Sequence, residues 1–110
     1  MINKKISLGI SEPWDAGDFG SEANIIRLFH EGEKERLIVE TVKQLEYKGK
    51  IYKYFCVGAR YEGEDTRKLC DKKSWAVTLI GVPDSIINDE IDDKKLRGEL
   101  GFIGSIKYLK

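Results

Sequence analysis

The chain has 110 residues, 19 Lys and Arg against 19 Asp and Glu, one His, two Cys and a formal net charge of zero. That length supports one hydrophobic core but not a catalytic domain plus a separate binding domain, so a single domain over residues 1–110 is expected. A neutral chain has no overall field to attract DNA or RNA, which argues against a general nucleic-acid binder and leaves a local patch open.

Lys5 to Ile10 alternates, with Ile6, Leu8 and Ile10 on one face, and reads as a short strand ended by Ser11-Glu12-Pro13. Trp14 to Glu22 contains Asp15, Gly17, Asp18 and Gly20 and reads as a loop. Asn24 to His30 is a second strand candidate that turns at Glu31-Gly32-Glu33. From Arg36 to Tyr61 two runs of β-branched and aromatic residues meet at Tyr47-Lys48-Gly49-Lys50, the pattern of a long β-hairpin. A helix over Glu33 to Leu45 competes, because Ile38, Val42 and Leu45 fall at i, i+4 and i+7. The β-branched Val39, Thr41 and Val42 favour strand.

Beyond Tyr61, Glu62 to Lys73 is a charged connection, and Trp75 to Val82 is a continuous apolar run expected to form a strand buried on both sides. Pro83-Asp84-Ser85 can open a short helix through about Asp93, capped by Asp84 or Ser85. A last strand is expected over Glu99 to Leu109, with Leu100, Phe102, Ile106 and Tyr108 on one face. The expected fold is mainly β: a small six-stranded barrel, or a strongly curved antiparallel sheet, with one short helix covering one end. Glycines inside strands, at Gly58, Gly81, Gly101 and Gly104, are expected to mark bulges or bends where the sheet closes. A two-layer α+β domain is the alternative if Glu33 to Leu45 is helical.

The residues offer little catalytic chemistry. His30 stands alone, no nucleophile elbow or phosphate loop occurs, and Cys56 and Cys70 lack the spacing of a zinc or redox motif. Both are expected as reduced thiols, and no catalytic residue, metal or cofactor is expected. Asp15, Asp18 and Glu22 form one acidic group and Asp89, Glu90, Asp92 and Asp93 another, neither with the calcium-loop pattern. No apolar run is long enough for a signal peptide or a membrane span, so a cytoplasmic protein is expected.

Charge is uneven along the chain: residues 1–35 carry four Lys/Arg against seven Asp/Glu, and residues 36–80 carry ten against six. The leading expectation is a non-enzymatic module that binds another protein, an inhibitor or immunity/antitoxin-type partner of a bacterial toxin. Its contact residues would be Asp89, Glu90, Asp92, Asp93, Trp14, Asp15 and Asp18, facing a basic toxin or nuclease cleft. The first alternative is a single-strand nucleic-acid binder using Lys50, Tyr52, Lys53, Tyr54 and Arg60, where aromatic rings would stack bases between cationic side chains. The second is a small-molecule-binding barrel or small enzyme, with its site in the barrel mouth near Trp14.

Overall fold

Tyr47-Lys48-Gly49-Lys50 turns the chain in two residues, with Lys48 at φ 50° and Gly49 at φ 80°. Both central residues in the left-handed region define the turn whose twist matches that of antiparallel strands, and Gly49 adopts it without a Cβ penalty. The computed structural model describes residues 5–12, 19–31, 34–59, 75–87 and 101–109. Its strands are β1 (Lys5–Glu12), β2 (Gly20–Glu31), β3 (Lys34–Tyr47), β4 (Lys50–Ala59), β5 (Trp75–Val82) and β6 (Gly101–Tyr108). Each pairs antiparallel with the next, and β6 pairs back to β1, closing a six-stranded barrel. Closure leaves no open side to the sheet as a whole, which is how a small all-β domain avoids exposing a full-length edge.

The helical alternative for Glu33 to Leu45 is excluded, since β3 runs through it. Ile38 lies on the outer wall, Val42 is exposed and Leu45 is in the core, so the three residues at helical spacing serve three environments. β2 is longer than expected and begins at Gly20, because Ser21, Ala23 and Ile25 alternate inward while Gly20 to Asn24 pair with Gly9 to Lys5. The expected helix after Pro83 is a 3-10 turn, Asp84–Ile86, within the described residues. Pro83 occupies its cap position without a side-chain hydrogen bond, so neither Asp84 nor Ser85 is the cap. The remainder of that expected helix, and the start of the last strand at Glu99, lie outside the described residues.

The interior is filled by alternate side chains of all six strands. Ile6, Leu8, Ile25, Leu37, Val39, Phe55, Val57, Val77, Leu79 and Ile106 are at most 1% exposed. Phe55 and Phe102 meet edge to face at 6.0 Å, and Tyr52 lies 6.2 Å from each ring. Such tilted aromatic contacts add roughly 0.5–1.5 kcal/mol per pair beyond the area they bury. A second apolar cluster forms on the outer wall, where Ile38, Cys56 and Val82 are covered by Ile87, with Ile26, Tyr54 and Ile80 partly buried around them. The expectation that β5 is buried on both sides holds only in part: Val77 and Leu79 face the core and Val82 the outer cluster, while Ala76, Thr78 and Ile80 on the outer face are half-buried. The turn after β5 packs on the wall of the barrel, not over its end.

The expectation that strand glycines mark bulges or bends where the sheet closes is met by Gly104, which pairs with Ile10 at a register shift on the closing seam, and not by Gly58, Gly81 or Gly101, which lie away from the shifts. The register shifts fall between Ile10 and Glu12, between Ile25 and Arg27, and between Glu40 and Leu45. Gly104 also allows the close approach at that seam: a Cβ there would overlap the carbonyl oxygen of Gly9 and stand 3.0 Å from the Cα of Ile10.

Candidate binding surface

The largest register shift sets the shape of one end of the barrel. Glu40 pairs with Tyr54 and Leu45 with Tyr52, so Thr41 to Gln44 oppose the single residue Lys53. Two buried hydroxyls hold this bulge. Ser21 Oγ accepts the Lys43 N–H at 2.9 Å and donates to the Glu22 carbonyl at 2.7 Å. Thr41 Oγ1 donates to the Lys43 carbonyl at 2.6 Å, with the Lys53 carbonyl 3.2 Å away. A bulge bends its strand, and β3 bends here. The strand pairing of β3 with β2 ends at Thr41 and that of β4 with β5 ends at Tyr54, so the hairpin from residue 42 to 53 extends beyond those paired stretches, with Ser21 of β2 still reaching Lys43. Leu45, Tyr47 and Tyr52 nevertheless belong to the core, and Tyr47 meets Phe102 edge to face at 5.6 Å. The hairpin tip therefore folds over the barrel mouth and closes it.

Bending inward on one side leaves apolar groups on the other. Val42 is 68% exposed and Ile51 60% exposed, while Lys43, Lys48 and Lys50 are exposed around them. Beside the hairpin lies a groove of about 330 Å3, with Lys50, Ile51 and Tyr52 on one wall and Pro83, Asp84 and Ser85 on the other. Sequence reasoning missed Val42, Ile51 and this groove. The hairpin expected from Arg36 to Tyr61 has equal arms about Lys48-Gly49, whereas the strands are unequal, 14 residues in β3 against 10 in β4, so the residue pattern carries no sign of the bulge.

The alternating topology fixes which connections share this mouth. Strands that run up and down send every second connection to the same end, so the β1–β2, β3–β4 and β5–β6 connections leave from one mouth. Trp14, Asp15 and Asp18 belong to the first, and Asp89, Glu90, Asp92 and Asp93 to the third. All seven lie outside the described residues, as does Arg60; the flanking Glu12 and Phe19, Ile87 and Gly101, are described.

The aromatic and basic residues of the hairpin do not form one surface. Tyr52 points inward and is 3% exposed, so it offers no ring face to a nucleotide. Tyr54 is outward and half-buried, with the Lys53 ammonium 5.1 Å from its ring centre and 3.9 Å from Glu40 Oε2. Lys53 and Tyr54 thus engage each other and Glu40, and Lys50 stands apart on the groove wall. The barrel interior is occupied by packed side chains, and Trp14, near which the expected small-molecule site would lie in the barrel mouth, is outside the described residues. Among the described residues no group of three His, Cys, Asp or Glu is placed to hold a metal ion, and no helix is long and apolar enough to cross a membrane. Cys56 is a buried thiol outside any disulfide.

No family model, curated protein or solved structure matches this chain.

Proposed function

We propose that this barrel is a non-enzymatic protein-binding module, a cytoplasmic inhibitor of the immunity or antitoxin type whose partner is a basic bacterial toxin or nuclease. The observation that carries this reading is the shared mouth: the connections holding Asp15 and Asp18, and Asp89, Glu90, Asp92 and Asp93, attach to the same end of one closed barrel. The acidic residues of these two connections outnumber the cations of that end, Lys43, Lys48 and Lys50 on the hairpin and Lys94, Lys95 and Arg97 in the third connection, and would give a neutral molecule a local negative pole. Such a pole speeds encounter with a basic cleft and disfavours partners of like charge. The filled interior supports the same reading, because it directs recognition to the outside of the barrel. The Lys- and Ile-rich composition suits a bacterial source.

The test is affinity capture with the full chain and with a charge-reversed chain carrying Asp89→Lys, Glu90→Lys, Asp92→Lys and Asp93→Lys. One stoichiometric basic protein, held by the first and released by the second, is the expected result. Equal capture by both chains removes the acidic surface from the proposal, and recovery of nucleic acid alone overturns the protein-binding reading.

A further inference from the structure

Resting on the protein-binding reading, we infer that the groove between β4 and the turn after β5 takes an extended segment of the partner as an added strand. β5 pairs with β4 as far as Val82 opposite Tyr54, and Pro83 then turns the chain away. Among the described residues no strand continues along the outer side of Lys50, Ile51 and Tyr52. The groove of about 330 Å3 occupies that position, walled by those three residues and by Pro83, Asp84 and Ser85. It is the slot that a longer β5 would fill.

The hairpin geometry supplies the backbone groups. Tyr47 and Lys50 flank a two-residue turn and form a hydrogen-bonded pair, so Leu45 and Tyr52 form the next, and Glu46 and Ile51 a non-bonded pair between them. The N–H and C=O of Ile51 consequently point away from β3, into the groove. Main-chain pairing of this kind gives an added strand its affinity, and the side-chain pockets give it selectivity.

The lining indicates the chemistry of the segment. Ile51 is 60% exposed and lines the groove together with Pro83, so a large apolar side chain has a surface to cover. Lys50 and Asp84 stand on opposite walls, both exposed, and no ion pair joins them. A segment with an apolar residue between an acidic and a basic one meets all three. Lysine and proline at a sheet edge ordinarily discourage pairing. Here Lys53 is turned to Glu40 and Tyr54, which leaves Ile51 at the centre of the open stretch.

The probe is a phage-displayed library of random short peptides, selected on the full chain and on the full chain carrying Ile51→Pro. Proline removes the outward N–H at a position where the barrel's own ladder does not use it. The expected result is a family of peptides with an apolar centre and both charges that bind Ile51→Pro at least about tenfold more weakly. In the unaltered chain the selected peptide slows hydrogen exchange of the Ile51 amide, a readout that does not depend on the variant folding. Equal binding to both chains, protection elsewhere with Ile51 unchanged, or a library without binders overturns the groove as a strand-addition site. The protein-binding reading falls separately, by the capture experiment, in which Ile51 is unaltered.

Discussion

The ring of Tyr52 fills the space that a side chain on Gly81 would need: a Cβ built on Gly81 comes within 2.6 Å of two Tyr52 ring carbons. β4 delivers the ring from the hairpin that closes the mouth, and β5 accommodates it by carrying no side chain there. Gly81→Ala is expected to cost about 1–3 kcal/mol by overpacking. Urea denaturation of Gly81→Ala, Tyr52→Leu and the double variant checks the cause. If ring and Cβ compete for one space, the pair is coupled by at least about 0.5 kcal/mol, whereas additive losses place the damage elsewhere.

Gly104 presents a stricter case, because what opposes it is backbone. Gly104→Ala drives a Cβ into the carbonyl of Gly9 across the β1–β6 seam, and the loss is expected to exceed the ~1–3 kcal/mol of ordinary side-chain overpacking. Gly101, three residues earlier on β6, has nothing within 4 Å of a built Cβ, so Gly101→Ala is expected to shift stability by no more than about 0.5 kcal/mol. Thermal melts of the two variants compare a seam glycine with an edge glycine in one strand.

Much of this fold is legible in the residues. Ile6, Leu8 and Ile10 alternate cleanly and line the core, and Lys48-Gly49 sits where β-branched runs stop and restart, so the first strand and the central turn follow from local chemistry. Gly81 and Gly104 are less legible, because the group that requires each glycine is distant in sequence: Tyr52 for one and Gly9 for the other. The bulge at Thr41 to Gln44 is hidden for a similar reason. Thr41 and Val42 read as ordinary strand formers, and the hydroxyl that fixes Lys43 comes from Ser21 on another strand. The candidate surface inherits that difficulty: its charges are visible in the sequence, but the mouth they share is a property of strand order.

The central turn makes its own demand. Lys48 holds φ 50° against the preference of a side chain with a Cβ, and Gly49 holds φ 80° freely. Gly49→Ala is expected to lose roughly 1–2 kcal/mol, since the left-handed region costs an L-residue about that much. Lys48→Asn moves the other way and is expected to gain about 0.5 kcal/mol, as Asn-Gly is the preferred pair in this turn. Chemical denaturation gives both signs, and a loss in Lys48→Asn would show that the Lys48 ammonium, 5.4 Å from the Tyr47 ring centre, contributes more than its backbone strain removes.

The bulge depends on its two hydroxyls. Ser21→Ala deprives the Lys43 N–H of its acceptor, and Thr41→Val, nearly the same shape, removes the donor to the Lys43 carbonyl. Each is expected to cost about 1–3 kcal/mol, the range for leaving a part-buried polar group unsatisfied. Hydrogen exchange at Lys43 separates local from global effects: faster exchange there in Ser21→Ala, with core amides such as Val39 unchanged, is the signature of a loosened bulge.

Val42 tests whether that bulge exists to display a side chain. The strand is bent and pinned by buried hydroxyls, yet the residue at its crest is an apolar one left 68% exposed. Such a residue does little for folding, so Val42→Asp is expected to change stability by less than about 0.5 kcal/mol. If the partner captured by the full chain covers this crest, burying a carboxylate there weakens binding by at least about tenfold, because the charge loses water and meets an apolar surface. Isothermal titration of that partner against the unaltered chain and Val42→Asp reads both possibilities. An unchanged affinity confines the contact to the acidic connections and the groove, and makes the exposed valine a consequence of bending β3 over the mouth.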